Sequence, residues 1–258
     1  MNSVHVHIPY PRIAEYLPYI RQHRLNLEIF FPSSTLDSLR KADIETLREH
    51  LDYHPSLSIH APFMDMSPGA VDSKVRDVTM ERFLQIMEIA GLLAPRIVVF
   101  HSGYEKWKYS HRADIWLEGS LTTWRPLRER AAELDVKIAI ENIFEDEPSN
   151  LLMLMEELHS EHFGLCFDTG HFNLFTRLPL KEWLSSLKPY IFELHLHDND
   201  RSRDQHLPIG EGTFNFAALF EELQGNHCVY TIETHTPERV LKSIERLQEY
   251  ITAFPSGS

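Results

Sequence analysis

The chain reads as a single (β/α)8 barrel of the TIM type, and three observations predict it. Short apolar runs alternate with amphipathic stretches from one end to the other. Each kind occurs eight times, the number that closes a parallel barrel. No Gly/Ser linker or change of composition divides them, and no repeat appears beyond the βα unit. The competing arrangement, an open doubly wound sheet, needs a Gly-rich phosphate turn after the first strand; Pro9 and Pro11 stand there instead. The barrel is expected to span residues 1–254, with a disordered tail at 255–258.

The expected strands are Val4–Ile8, Leu25–Phe31, Leu57–His60, Ile97–His101, Val136–Asn142, Phe163–Asp168, Ile191–His197 and Cys228–Thr234. They are short, apolar and rich in Val and Ile. Helical patterns fill the gaps at Arg12–His23, Thr35–Leu51, Val71–Ala90, Trp116–Leu134, Asn150–His159, Leu180–Leu187, Phe216–Leu223 and Pro237–Tyr250. The clearest is Val71–Ala90, where Val75, Val78, Met80, Phe83, Met87 and Ala90 form an apolar stripe at spacings near three and four. Thr236 before Pro237 has the form of an N-cap followed by proline at the first helical position.

Composition sets the outer limits on function. Hydrophobic residues at 43% and charged residues at 24% are those of an ordinary soluble globular protein. No run of 18 apolar residues spans a membrane, and MNSVHVHIPY enters a strand pattern with no basic leader, so no targeting segment is expected. Cys166 and Cys228 cannot make a disulfide framework, which points to a reduced, cytoplasmic protein with two buried thiols. Lys plus Arg number 25 against 38 Asp plus Glu. That balance opposes binding to duplex nucleic acid or an anionic membrane, and it suits a chain whose carboxylates await cations. The expected partner is a small polar substrate; a homodimer is left open.

In a strand, residues two apart share a face. Ile138 and Ile140, Leu165 and Phe167, Leu194 and Leu196, Tyr230 and Ile232 suit outer faces packed on helices. The opposite register points into the barrel, and there strands three to eight end on His60, His101, Glu141, Asp168, His195 and Glu233. Strand one offers His5 and His7, of which His7 is the higher, and strand two offers Glu28. The C-terminal ends of the strands form the active face of this fold, and the layers below are expected to be filled core. Buried carboxylates converging on one mouth need cations. A His-plus-carboxylate set suits Zn first, with Mn, Co or Fe as alternatives to it.

Three local clusters extend the set. FDTGH places Asp168 and His171 three apart, with Gly170 expected to allow a sharp turn. HLHDND puts His195 and His197 on one face. RDQHLPIGEG sets Asp204 and His206 two apart in a loop, ahead of a Pro-Ile-Gly turn. Trp107, with Tyr104 and Tyr109, follows strand four, where aromatics can stack on a sugar ring. Arg201 and Arg203 lie near the mouth, where a guanidinium can hold a phosphate. The expected substrate-binding residues are His7, Glu28, Trp107, His197 and Arg201.

Through SIHAPF, VVFHSG, IENIF, FDTGH, HLHDNDRSRDQHLPIGEG and TIET, the sequence resembles the xylose isomerase-like barrel superfamily over nearly its whole length. That superfamily includes sugar isomerases and epimerases and the endonuclease IV family. The epimerases hold one metal with two Glu, an Asp and a His, which the resemblance carries onto Glu141, Asp168, His195 and Glu233. Endonuclease IV-like members hold three zinc ions, and the resemblance adds His60, His101, His171, Asp204 and His206.

Two chemistries follow from this resemblance. The first is isomerisation or epimerisation of a sugar or sugar phosphate, with Glu141 and Glu233 moving a proton beside a metal-polarised carbonyl and His171 binding a substrate oxygen. The alternative is phosphoester hydrolysis at up to three zinc ions, on a small or single-stranded substrate. A third reading is a binding barrel that keeps the metal site without turnover.

Overall fold

The computed structural model describes residues 3–254, so the expected tail at 255–258 lies outside the described residues. Eight parallel strands close in sequential order, β1 (Val4–Pro9), β2 (Asn26–Phe30), β3 (Leu57–His60), β4 (Ile97–His101), β5 (Lys137–Glu141), β6 (Phe163–Asp168), β7 (Ile191–Leu196) and β8 (Val229–Ile232). Around them run α1 (Ile13–His23), α2 (Ser33–Leu36), α3 (Lys41–His50), α4 (Ser73–Leu93) and α5 (Ala113–Leu134). The ring is completed by α6 (Ser149–Leu158), α7 (Thr169–Phe175), α8 (Leu180–Leu187), α9 (Phe216–Glu222) and α10 (Pro237–Ala253). The chain is a (β/α)8 barrel. Among the described residues, no helix is long and apolar enough to cross a membrane.

The core lies between strands and helices. Ile138, Ile140, Leu165, Phe167, Leu194, Leu196, Tyr230 and Ile232 all face outward into it and are buried. Both cysteines are buried and free.

Three local expectations change. The helical stretch Thr35–Leu51 is two helices, because Arg40 takes an extended backbone and its guanidinium and amide both bond Asp43, starting α3 afresh. In α4 the stripe holds from Phe83 onward, but Val75 and Val78 are exposed. FDTGH does not turn out into a loop: α7 begins directly after Asp168, whose carboxylate caps the amide of His171 at 2.6 Å. Gly170 is needed for close approach rather than for a turn. A Cβ there would fall 2.0 Å from the His197 ring.

The barrel interior is filled, but only one side of it is apolar. Below the mouth, Val99, Ala139 and Cys166 form an apolar side with Ile97 and Val229. The other side is polar: the Ser58 hydroxyl donates to Glu193 at 3.2 Å, Thr231 donates to the same carboxyl, and Nδ1 of His5 meets Ser58 at 2.9 Å. Every member of this network is buried, so each hydrogen bond replaces one lost from water.

Candidate metal centre

Strand ends place the side chains, and period-two alternation aims them. Register sets Glu141 beside His101, Asp168 beside His195, and His7 beside Glu28. The mouth is a cavity of about 760 Å³, lined by His60, His101, Glu141, His171, Asp204, His206 and Glu233. Asp168 and His195 sit fully buried beneath this floor.

The nine residues fall into three contiguous groups. Nδ1 of His195 lies 3.5 Å from Glu141, 3.8 Å from Asp168 and 3.4 Å from Glu233. Nε2 of His60 and Nε2 of His101 lie 3.1 and 3.2 Å from one Glu141 oxygen. Asp204 lies 2.9 Å from Nε2 of His206 and 3.6 Å from Nε2 of His171. Donor atoms about 2.1 Å from a tetrahedral ion sit roughly 3.4 Å apart, so these separations fit cation sites. Nδ1 of His195 and of His197 are buried without a hydrogen-bond partner among the described residues, while Nδ1 of His171 lies 3.0 Å from a Glu141 oxygen. The arrangement fits divalent metal.

The electrostatics agree. Burial alone raises the Glu141 carboxyl, yet His101 and His195 hold it well below the usual carboxylate range. Glu233 is likewise held low, against burial, by His195 and His7. Burial opposes charge on His171 and His195 too, but Asp168 around the first, and Cys166 with Glu28 around the second, raise both. His171 and His195 are thus biased toward the protonated form where a cation would sit, whereas burial lowers His101, and metal and protons compete for the same atoms.

The loop residues Asp204 and His206 are held by the backbone of residues 197–215. Asp198 and Leu207 exchange two amide bonds of 2.9 Å. The Asp198 carboxylate also accepts from the amides of Gly212 and Phe214. Nδ1 of His206 donates to the Glu233 carbonyl at 2.9 Å, which turns Nε2 toward Asp204. His206 itself has φ 46°, a strained conformation fixed by these contacts.

Of the expected substrate contacts, only His7 lines the cavity. Trp107 is 76% exposed and packs on His111 outside it. Arg201 points away to Asn173, with Nε 3.1 Å from that side chain. Glu28 is fully buried and accepts from His7 at 2.8 Å and from His195 at 3.0 Å. His197 is also fully buried; its Nε2 meets Asp168 at 3.1 Å, and its ring stacks on His206 at 4.0 Å. Glu28 lies beneath His195, while His197 stands among the candidate ligands, its Nδ1 3.6 Å from Asp204.

Sequence reasoning missed Glu193 and His235. Each stands two residues from a strand-end ligand, Glu193 below His195 and His235 beyond Glu233, so the same period-two rule could have found them. Burial, then Glu28, pushes the Glu193 carboxyl up to about 8, which keeps it neutral near pH 7. His235 lines the cavity beside His206, with ring centroids 4.6 Å apart.

Comparison with known proteins places this geometry. The family model described as xylose isomerase-like TIM barrel matches residues 26–250. An uncharacterized protein of Methanocaldococcus jannaschii is 32% identical over 223 residues, covering 83% of this chain and 76% of that one. The solved structure of a D-tagatose 3-epimerase-like protein superposes with a TM-score of 0.83 at 28% identity, covering 97% of this chain and 98% of that one. A Thermus thermophilus protein whose crystals were soaked with zinc chloride superposes with a TM-score of 0.81 at 28% identity, covering 97% of this chain and 98% of its own.

Proposed function

We propose that this chain, which belongs to the xylose isomerase-like TIM barrel family, is a metal-dependent isomerase or epimerase of a small sugar or sugar phosphate. One observation carries the reading. A single imidazole nitrogen, Nδ1 of His195, stands 3.4–3.8 Å from the carboxylates of Glu141, Asp168 and Glu233, so one imidazole and three carboxylates meet beside the cavity floor. Similarity to the D-tagatose 3-epimerase-like protein supports the same direction.

Glu141, Asp168, His195 and Glu233 would hold a divalent metal, with zinc as the first choice and manganese, cobalt or iron as alternatives; when bound it would supply a Lewis acid beside a substrate carbonyl. Glu141 and Glu233, from β5 and just beyond β8, are ionised and face the cavity, where one takes the substrate proton and the other returns it. His171 binds a substrate oxygen from the floor. His7 is positioned by Glu28 and Glu233 through Nδ1, leaving its second ring nitrogen for substrate. Deuterium incorporation from D2O at a carbon next to the carbonyl of D-tagatose or a related ketose tests the reading. No exchange across a broad panel of ketoses and sugar phosphates with metal-loaded protein would sink it.

The second reading, multinuclear phosphoester hydrolysis, is favoured by the groups around His60/His101 and Asp204/His206, which exceed what one ion needs. Metal analysis showing two or three zinc ions, together with cleavage of an aryl phosphodiester, supports that alternative. One weakly held ion with proton exchange supports the first.

A further inference from the structure

Beyond its polar floor, the cavity has an apolar outer wall that the proposed chemistry leaves unexplained. Phe30 and Phe63 line it from the ends of β2 and β3, stacked at 5.5 Å and 28°. Phe144, after β5, and Phe175, at the end of α7, line it in edge contact at 5.1 Å and 77°. Each pair abuts a histidine of the floor. Phe63 lies flat on His101 at 4.5 Å and 18°, and Phe175 lies 6.4 Å from His171. Met64, 74% exposed, and Val75, 42% exposed, complete the rim. Phe144 itself is 52% exposed.

Contiguous apolar surface left in water beside a polar site marks a binding surface. A free sugar carries hydroxyl groups around its whole outline. It would satisfy the floor, but of its outer hydroxyls only those reaching Asp65, Tyr104, Glu105 or Lys108 would find partners, and the four phenylalanine rings offer none. A flat apolar group would bury the same surface favourably and stack on the aromatic faces.

We infer that the substrate is amphipathic: a sugar or polyol head that meets the metal floor, bearing an aryl or similarly flat apolar substituent that occupies the Phe30/Phe63/Phe144/Phe175 vestibule. This rests on the reading that the floor binds substrate oxygens through metal. It assigns specificity to Phe144 and Met64, which stand at the rim and support no strand or helix core.

The experiment compares two chelating probes on zinc-loaded protein, acetohydroxamate and benzohydroxamate, which share the oxygen pair and differ by the ring. Calorimetric titration should show benzohydroxamate binding at least tenfold more tightly. The Phe144→Ala/Met64→Ala double variant should bring that ratio close to one. Val71→Ser, exposed but outside the cavity, should keep it. Equal affinity for the two probes in the unaltered protein overturns the vestibule while leaving the metal floor standing. Binding of neither probe, with no deuterium exchange on any ketose, overturns the floor and the vestibule together. Sedimentation showing a dimer that Phe144→Ala/Met64→Ala dissociates also overturns it, because the apolar wall then belongs to a second copy of the chain.

Discussion

His195 donates from Nε2 to Glu28 across 3.0 Å, and both side chains are fully buried. The bond fixes the tautomer and presents Nδ1 upward, to the point where Glu141, Asp168 and Glu233 converge. Glu28 also holds His7, so one carboxylate steadies both His195, beneath the proposed metal site, and His7, on the cavity wall. Burial alone would raise the Glu28 carboxyl, yet His195 and His7 bring it down to about 2, and the bond stays charge-assisted.

Glu28→Gln is expected to lower metal affinity by about 10- to 100-fold, the usual effect of removing a ligand's outer partner. Competition with a fluorescent zinc chelator measures it. Unchanged affinity would mean that His195 is oriented by packing alone.

His60→Ala breaks the group that shares Glu141 with His101, while leaving the four residues around Nδ1 of His195 in place. Elemental analysis of protein purified without chelator should show unchanged metal content if one ion sits at the four residues around His195, and a fall of about one ion per chain if the multinuclear reading holds. Loss of all metal would show that the groups are not separate sites.

Gly170→Ala drives a methyl group into the His197 imidazole. Because that ring is pinned by Asp168 and stacked on His206, it cannot swing aside. The expected destabilisation is about 1–3 kcal/mol in urea unfolding of the apo protein, with weaker metal binding as well. Wild-type stability would show that the α7 backbone yields instead.

His5 gives a pH dependence with a definite sign. Burial, against the pull of Glu28, lowers its imidazole from 6.5 to about 4. The unfolded chain therefore binds the extra proton first as pH falls. Stability contributed by neutral His5 is complete above pH 6.5 and is lost as pH drops toward 4, a change of about 3 kcal/mol. His5→Gln, compared with the unaltered chain in excess chelator, should flatten that part of the profile. Parallel curves over this window would refute it.

The strands and the inward-facing histidines and carboxylates at their ends were legible because both obey a period of two. Ile138/Ile140 against Ala139/Glu141 is enough to tell the outer face from the inner one. Depth was not legible. Alternation sends Glu28 and His60 to the same interior, but only strand stagger shows that Glu28 lies under His195 while His60 reaches the cavity. Loop direction was equally hidden: Trp107 and Arg201 have residue types that suit substrate, and their backbone turns carry them outward. Local signals also cannot distinguish a glycine kept for a turn from one kept for space, and Gly170 is of the second kind.

The paired amide bonds between Asp198 and Leu207 impose an order of assembly. Ligands borne on strands are in position once neighbouring strands zip together, because their backbones are part of the ladder. Asp204 and His206 arrive only when a long excursion of chain doubles back and latches, and the left-handed His206 adds strain that the latch must overcome. The roof of the site is therefore the last piece to settle and the first to lift, and an ion held there should exchange fastest.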